Sequence, residues 1–338
     1  MVFHQLAKLS DIFFAHLKQQ MRANNVVLAP HWNIDHICYR VESIGRYVEM
    51  KSHLACFSTE LIESQVNGRP IATFKLHEPL VFEGRKIDLV ELPAPKPGKE
   101  VLEGFEHIEV VTDATFSDLK SLYSTCHFNE SGLSKAFNKE LQLSFENYAI
   151  KFHHLSLESV VSLEANEQVF SAIRGSEVLE RLARFDPLVA GTFPLNIFTA
   201  ESDVDVLVCS EDLSLLSDEI TKLYSSFDCF KLDFVKQDEG SYLLAKFNYN
   251  DVPFEIFGQS ITTVKQRGYK HFQVEERLLK LGGGTLRKKV RELRSSGLKT
   301  EPAFASALDL SGDPYISILD LHHRSDAELQ NLVNSELK

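Results

Sequence analysis

An internal repeat constrains this chain more than any other feature. Asp35-His36-Ile37 recurs in outline as Glu106-His107-Ile108, 71 residues later, and each trio opens an apolar run. After the first, the pattern reads strand (Ile34 to Val41), helix (Ser43 to Cys56) and strands (Ile71 to Leu76, Ile87 to Leu92), with turn signals at Asn67-Gly68 and Glu83-Gly84. Pro93 to Gly98, with prolines at 93, 95 and 97, is a stiff connector. The order then restarts with a strand at Phe105 to Val111, a helix at Ala114 to Cys126, and strands ending at Ala149 to His153. A strand-helix-strand-strand-strand unit written twice predicts a paired β-α-β-β-β domain. It follows an amphipathic helix on which Leu6, Leu9, Phe13, Leu17 and Met21 recur at helical spacing.

The repeat uses less than half of the 338 residues, and a chain of that length exceeds what one core usually organises. Two domains are expected, 1–165 and 166–338, joined at the polar, unpatterned stretch SLEANEQ. The second is predicted to run helix (Val178 to Phe185), strand, a loop of small and polar residues, strand (Val204 to Cys209) and helix (Leu213 to Phe227). Strands at Tyr242 to Asn248 and Phe254 to Phe257 precede a helical C-terminal part. Gly282-Gly283-Gly284 is expected to end one helix, with Thr285 as the next N-cap. It lacks the lysine and spacing of a phosphate-binding P-loop. The fold class is α+β.

Polar residues interrupt the N-terminal apolar stretch, against a secretory signal, and no segment approaches the roughly 20 apolar residues that span a bilayer. Five cysteines (Cys38, Cys56, Cys126, Cys209, Cys229), odd in number and without a Cys-x-x-Cys pair, favour reduced thiols and a cytoplasmic location. A net charge of −12 disfavours extended nucleic-acid binding. Yet residues 264–299 hold eleven Lys/Arg against Glu275, Glu276 and Glu292. Such a segment serves a polyphosphate or forms solvated helix faces.

Two sets of residues carry the chemistry. His36 and His107 hold equivalent places in the repeat, Glu91 lies on the last strand of the first half, and His153 on the last strand of the second. Imidazoles and a carboxylate converging from several strands suit a divalent transition metal such as zinc, manganese, nickel or iron. His31, His77 and His154 read as structural or surface residues.

The ordered motifs DHICYR, NGRPIATFKLHEPL, VELPAPK, EGFEHIEVV and IKFHHLS resemble the YecM family, of unestablished activity, in the vicinal-oxygen-chelate (glyoxalase and extradiol dioxygenase) superfamily. The resemblance covers roughly residues 1–165. It implies a metal-binding fold with His36, Glu91, His107 and His153 at the positions where the superfamily carries ligands, and it implies no particular reaction.

In the second half, the order of parts in AGTFPLNIFTAESDVDVLV points to nucleotidyl transfer. That reaction uses Mg²⁺, which prefers carboxylate oxygens with the remainder from phosphates and water. Asp203 and Asp205, two apart on a strand, point the same way; Glu255, between Phe254 and Ile256, supplies a third carboxylate. Gly191-Thr192 precedes them, its small residue letting backbone approach phosphate. The carboxylates are expected to meet at a cleft bordered by that turn, and no basic partner adjoins either aspartate in sequence. The stretches AGTFPLNI, SDVDVLV, VPFEIFGQ, YKHFQVEERLL and GLKTEPAFASALDLSGDPYISIL resemble an uncharacterised bacterial group of nucleotidyltransferase-like domains, over roughly residues 175–320. Gly191-Thr192 stands where the commoner superfamily signature has Gly-Ser or Gly-Gly.

The function expected is Mg²⁺-dependent transfer from a nucleoside triphosphate to an unknown acceptor. Asp203, Asp205 and Glu255 hold metal, Gly191, Thr192 and Ser202 contact phosphates, and Lys265, Arg267 and Arg277 offset the triphosphate charge. Two alternatives remain open. One is metal-dependent lyase, isomerase or dioxygenase chemistry in the first domain. The other is a non-enzymatic binding protein with a degenerate transferase domain.

Overall fold

A computed structural model describes residues 1–66, 68–98, 101–237 and 240–336 of the chain. The chain divides into two compact units, Met1–Leu157 and Glu158–Lys338. The division falls ahead of the expected 165/166 boundary.

In the first unit, helix α1 (Phe3–Ala23) buries Leu6, Phe13, Phe14, Leu17 and Met21 along one stripe. Then come β1 (Asn33–Arg40), α2 (Ile44–Leu54), β2 (Ser58–Val66), β3 (Arg69–Phe82) and β4 (Arg85–Pro93). The pattern repeats as β5 (Gly104–Val111), α3 (Phe116–Leu122), β6 (His127–Asn129), β7 (Leu141–Ser144) and β8 (Ala149–His153). Helix starts follow the sequence: Ser43 Oγ accepts from the Arg46 amide ahead of α2, and Thr115 and Asp118 form a reciprocal cap on α3. Of the expected Asn67-Gly68 turn, Asn67 lies outside the described residues; Gly68 has a φ of 75°.

All eight strands join one sheet in the order β2-β3-β4-β1-β5-β8-β7-β6. Each repeat places its last strand parallel to its first, and the two first strands meet antiparallel at the centre. The core packs against one face of this sheet, through Ile37, Tyr39, Val90, Leu92, Ile108, Val110, Ile150 and Phe152. Alternation along the strands assigns the intervening residues to the other face.

The second unit contains α4 (Leu157–Ala165), α5 (Glu167–Ser176), α6 (Val178–Arg181), β9 (Leu188–Ala190), β10 (Val204–Cys209) and α7 (Leu213–Tyr224). A hairpin of β11 (Asp228–Gln237) and β12 (Gly240–Tyr249) leads to β13 (Val252–Gln259), then α8 (Arg267–Ser295), α9 (Thr300–Ala307), α10 (Pro314–Leu319) and α11 (Asp326–Glu336). The sheet order is β11-β12-β13-β10-β9, with β10 parallel to β13. Val204, Val206, Val208, Phe254 and Ile256 are buried with Leu216, Ile220 and Tyr224 of α7, and Phe247 stacks between Tyr224 and Phe254. Asp205, Leu207, Glu255 and Phe257 therefore occupy the opposite parity. The expected helix Val178 to Phe185 is shorter, a single α-turn followed by a 3-10 turn at Ala183–Phe185. The triple glycine interrupts α8 at Gly283, which has φ 55° and ψ −149°.

Candidate functional site

In the first unit, the sheet face away from the core is charged. Strand register brings His36 opposite Glu109 and Cys38 opposite His107; Glu91 lies beside Cys38, and Lys151 beside Glu109. Glu109 is the hub. Its Oε1 is 3.0 Å from His107 Nε2 and 3.6 Å from His36 Nε2, and its Oε2 is 3.5 Å from His153 Nε2. The Lys151 ammonium donates to it at 2.8 Å.

Each of the three histidines has its other ring nitrogen committed. Nδ1 of His36 donates to Asp35 (2.8 Å), that of His107 to Glu106 (3.1 Å), and that of His153 to the Leu155 carbonyl (2.7 Å). Metal-binding histidines are ordinarily oriented by such a partner. The buried Nε2 atoms of His36 and His153 make no close hydrogen bond; each faces the Glu109 carboxylate, at 3.6 and 3.5 Å respectively. Burial works to lower the His36 pKa, but Glu109 and Asp35 outweigh it and push the pKa up to about 10. Burial likewise opposes ionisation of Glu109, yet Lys151 and His36 hold its carboxyl well below the usual range. The field at this point favours positive charge. Three buried imidazoles around a carboxylate fit a transition metal.

Two features of the strand register bear on the expected ligand set. Among the described residues, donor atoms within 4.8 Å of one another group as Asp35, His36 and His153; as His36, Glu91 and Glu109; and as Cys38, Glu106 and His107. His107 groups with Cys38 and Glu106, and it meets His36 through the shared carboxylate of Glu109. Glu91 and His153 are also not equivalents. Glu91 pairs with Cys38, two residues after His36, whereas His153 pairs with Val111, four after His107. The residue equivalent to Glu91 is Lys151. Sequence reasoning missed Glu109, although its place two residues after His107 puts both on one strand face.

In the second unit, Asp205 on β10 lies directly beside Glu255 on β13, and Asp203 precedes β10. Gly191 has a φ of 76°, and a Cβ built there would stand 1.8 Å from Asp205 Oδ2. Only glycine lets the turn after β9 lie against that carboxylate. Burial, with Asp203 and Glu255 nearby, raises the Asp205 pKa well above the usual range. A partner that sequence reasoning missed comes from the next strand. Lys246 on β12, opposite Glu255, reaches Glu255 at 2.6 Å and Asp203 at 3.7 Å.

Asp205 and Glu255 form one end of a cleft of about 590 Å³ that is also lined by Tyr242, Phe257, Lys265 and Arg267. That volume suits a small organic ligand. Tyr242 and Phe257, neighbours on the paired strands β12 and β13, contact each other on its wall with ring centroids 5.1 Å apart. Thr192 is buried, and its carbonyl accepts from the Ile197 amide. Ser202 Oγ accepts from the Thr199 amide and from Arg294, so its hydroxyl secures its own loop. Arg277 is built into the helical part instead of the cleft. Its guanidinium donates to Asp326 and to the His322 and Arg324 carbonyls, tying α8 to the start of α11.

Residues 3–138 match the family model described as YecM protein, and residues 171–321 match the one described as Domain of unknown function (DUF4269). The first match stops short of β7 and β8. Over 81 residues the chain is 38% identical to an uncharacterized protein of Haemophilus influenzae, covering 24% of this chain and 42% of that protein. Over 120 residues it is 32% identical to Protein YecM of Escherichia coli, covering 31% of this chain and 63% of that protein. The chain thus spans less than two thirds of either curated relative. A solved structure described as Protein EC4020 is 28% identical, with 49% of this chain and 92% of that one covered at a TM-score of 0.42.

Proposed function

We propose that the C-terminal unit is a Mg²⁺-dependent nucleotidyltransferase acting on a nucleoside triphosphate and an acceptor, and that the N-terminal unit holds a transition metal. The observation that carries the first part is Asp205 beside Glu255 on the wall of a cleft, with Asp203 linked to Glu255 through Lys246 and the Gly191 backbone pressed against Asp205. Bound Mg²⁺ would supply Lewis-acid polarisation of the α-phosphorus and offset the triphosphate charge. Asp203, Asp205 and Glu255 would hold the ion, and the Gly191-Thr192 turn would admit phosphate to their side. Lys265 and Arg267 would offset its charge. Tyr242 and Phe257 offer flat apolar surface to a base. In the reaction an acceptor oxygen bonds to the α-phosphorus while the bond to the bridging oxygen breaks. Pyrophosphate departs, and the acceptor proton passes to a carboxylate of the cluster. Lys246 neutralises Glu255 and Asp203 without spanning to Asp205, which leaves room for a cation there.

For the N-terminal unit, the convergence of the His36 and His153 Nε2 atoms on Glu109 without a close hydrogen bond supports a bound metal held by His36, His153 and Glu109, with Glu91 in reach. Its histidines are each about 2% exposed or less, which favours holding a metal over lyase, isomerase or dioxygenase turnover, where substrate must reach an open position. All five thiols are free, which suits a reducing cytoplasm. Pyrophosphate release is the test of transfer. With each nucleoside triphosphate and Mg²⁺, the unaltered protein should release it and Asp205→Asn should not; equal release by both overturns the reading.

A further inference from the structure

We propose that Arg287, Arg291 and Arg294 are positioning residues of the nucleotide site, forming a clamp that sets the loop joining the Gly191 turn to Asp203. The inference rests on the transferase reading above. Gly191 and Asp203 both belong to the site, but the chain between them contains no helix or strand. What fixes it comes from the part of α8 beyond the Gly283 break. There the three arginines, spaced four and three residues apart, present one helix face.

Each takes one of three successive carbonyls. Arg287 donates to Leu195, Arg291 Nε to Asn196 at 2.8 Å, and Arg294 Nε to Ile197 at 3.1 Å. Arg291 also binds the Asn196 side chain, and Arg294 reaches Thr300 Oγ1 at 2.6 Å and Ser202 Oγ at 3.4 Å. The loop answers with its own anchors. Asn196 takes a left-handed φ of 53°, Leu195 and Ile197 are buried, and the Ile197 amide donates back to the Thr192 carbonyl. The clamp therefore touches the loop at both ends: through Ile197 it reaches Thr192, and through Ser202 it reaches the residue before Asp203.

Charged hydrogen bonds to carbonyls are among the stronger ones, and the planar guanidinium fixes direction as well as distance. Held from both ends, the loop that leads to Asp203 is already set before a divalent ion binds, so the metal does not have to order it. The cost of ordering would otherwise fall on Mg²⁺ affinity. This accounts for a basic segment on an acidic chain: three of its eleven cations grip the protein's own active-site loop.

The test compares Mg²⁺ dependence of nucleoside triphosphate binding in the unaltered protein, Arg291→Ala, the double variant Arg291→Ala/Arg294→Ala, and Lys288→Ala as a control from the same helix. Arg291 is exposed, so its single variant retains the fold. The half-saturating Mg²⁺ concentration should rise about tenfold or more in the double variant and less in the single, with binding recovered at saturating Mg²⁺ and no change for Lys288→Ala. Variants that bind at the parent's Mg²⁺ concentration overturn the clamp while leaving the transferase reading intact. So do variants that bind to a lower extent with an unchanged Mg²⁺ midpoint. Absence of binding by the unaltered protein overturns both.

Discussion

Glu275 lies on α8 at 3% exposure with its Oε1 unpartnered, and burial, with Glu301 nearby, raises its pKa well above the usual range. The unfolded carboxyl releases its proton near the ordinary value of about 4.3, while the folded one keeps it. The folded state then binds more protons, so stability is complete below that value and falls as pH rises through the raised one. Glu275→Gln should melt with the parent at about pH 4 and above it at about pH 8. Equal melting temperatures at both values contradict this assignment. Glu109 is the second residue whose role depends on its surroundings. Glu109→Gln and His36→Ala should each cut transition-metal content, measured by elemental analysis after dialysis, by roughly tenfold or more. His107→Ala should cut it too, because His107 Nε2 lies 3.0 Å from Glu109. Full metal content in both of the first variants would remove the site. Neither Glu109 nor Lys246 was legible as a site residue. The repeat drew attention to matched histidines, and each missed partner is a cross-strand neighbour whose place depends on register.

At the scale of elements, apolar patterning carried the reading where one strand face is buried and failed where neither is. Strand β2, with the sequence STELIESQV, is an edge strand with little burial, and β11 is the edge of the second sheet. Edge strands carry charge and polarity that erase the alternating signal. The repeat itself was legible because β1, β4, β5 and β8 are central and bury Ile, Val and Phe. The pairing of Glu91 with His153 was not, since equal position in a count of strands is not equal register. Gly191 is where an element boundary and the chemistry coincide. Gly191→Ala adds a Cβ against Asp205 and imposes a positive φ on alanine. It should destabilise the second unit by more than about 1 kcal/mol and abolish nucleotide binding, read by thermal melting and titration. Unchanged melting and binding would show that the turn can move away from Asp205 without cost.

Across the whole molecule, charge and sites divide by unit. The chain is acidic at −12 overall, yet four of the eleven cations of its basic segment are engaged internally: Arg277 with α11, and Arg287, Arg291 and Arg294 with the loop before β10. Among the described residues no helix is long and apolar enough to cross a membrane. The first unit gathers three imidazoles around Glu109, and in the second Asp205 lies beside Glu255, the places where a transition metal and Mg²⁺ are proposed. The central claim concerns the second. Its most direct test is calorimetric titration of a nucleoside triphosphate into the full-length protein and into Asp205→Asn, with Mg²⁺ and with chelator. The account predicts saturable binding to the unaltered protein only when Mg²⁺ is present, and none to an Asp205→Asn protein that melts no lower than its parent. Binding that ignores Mg²⁺, or that survives in Asp205→Asn, would contradict it.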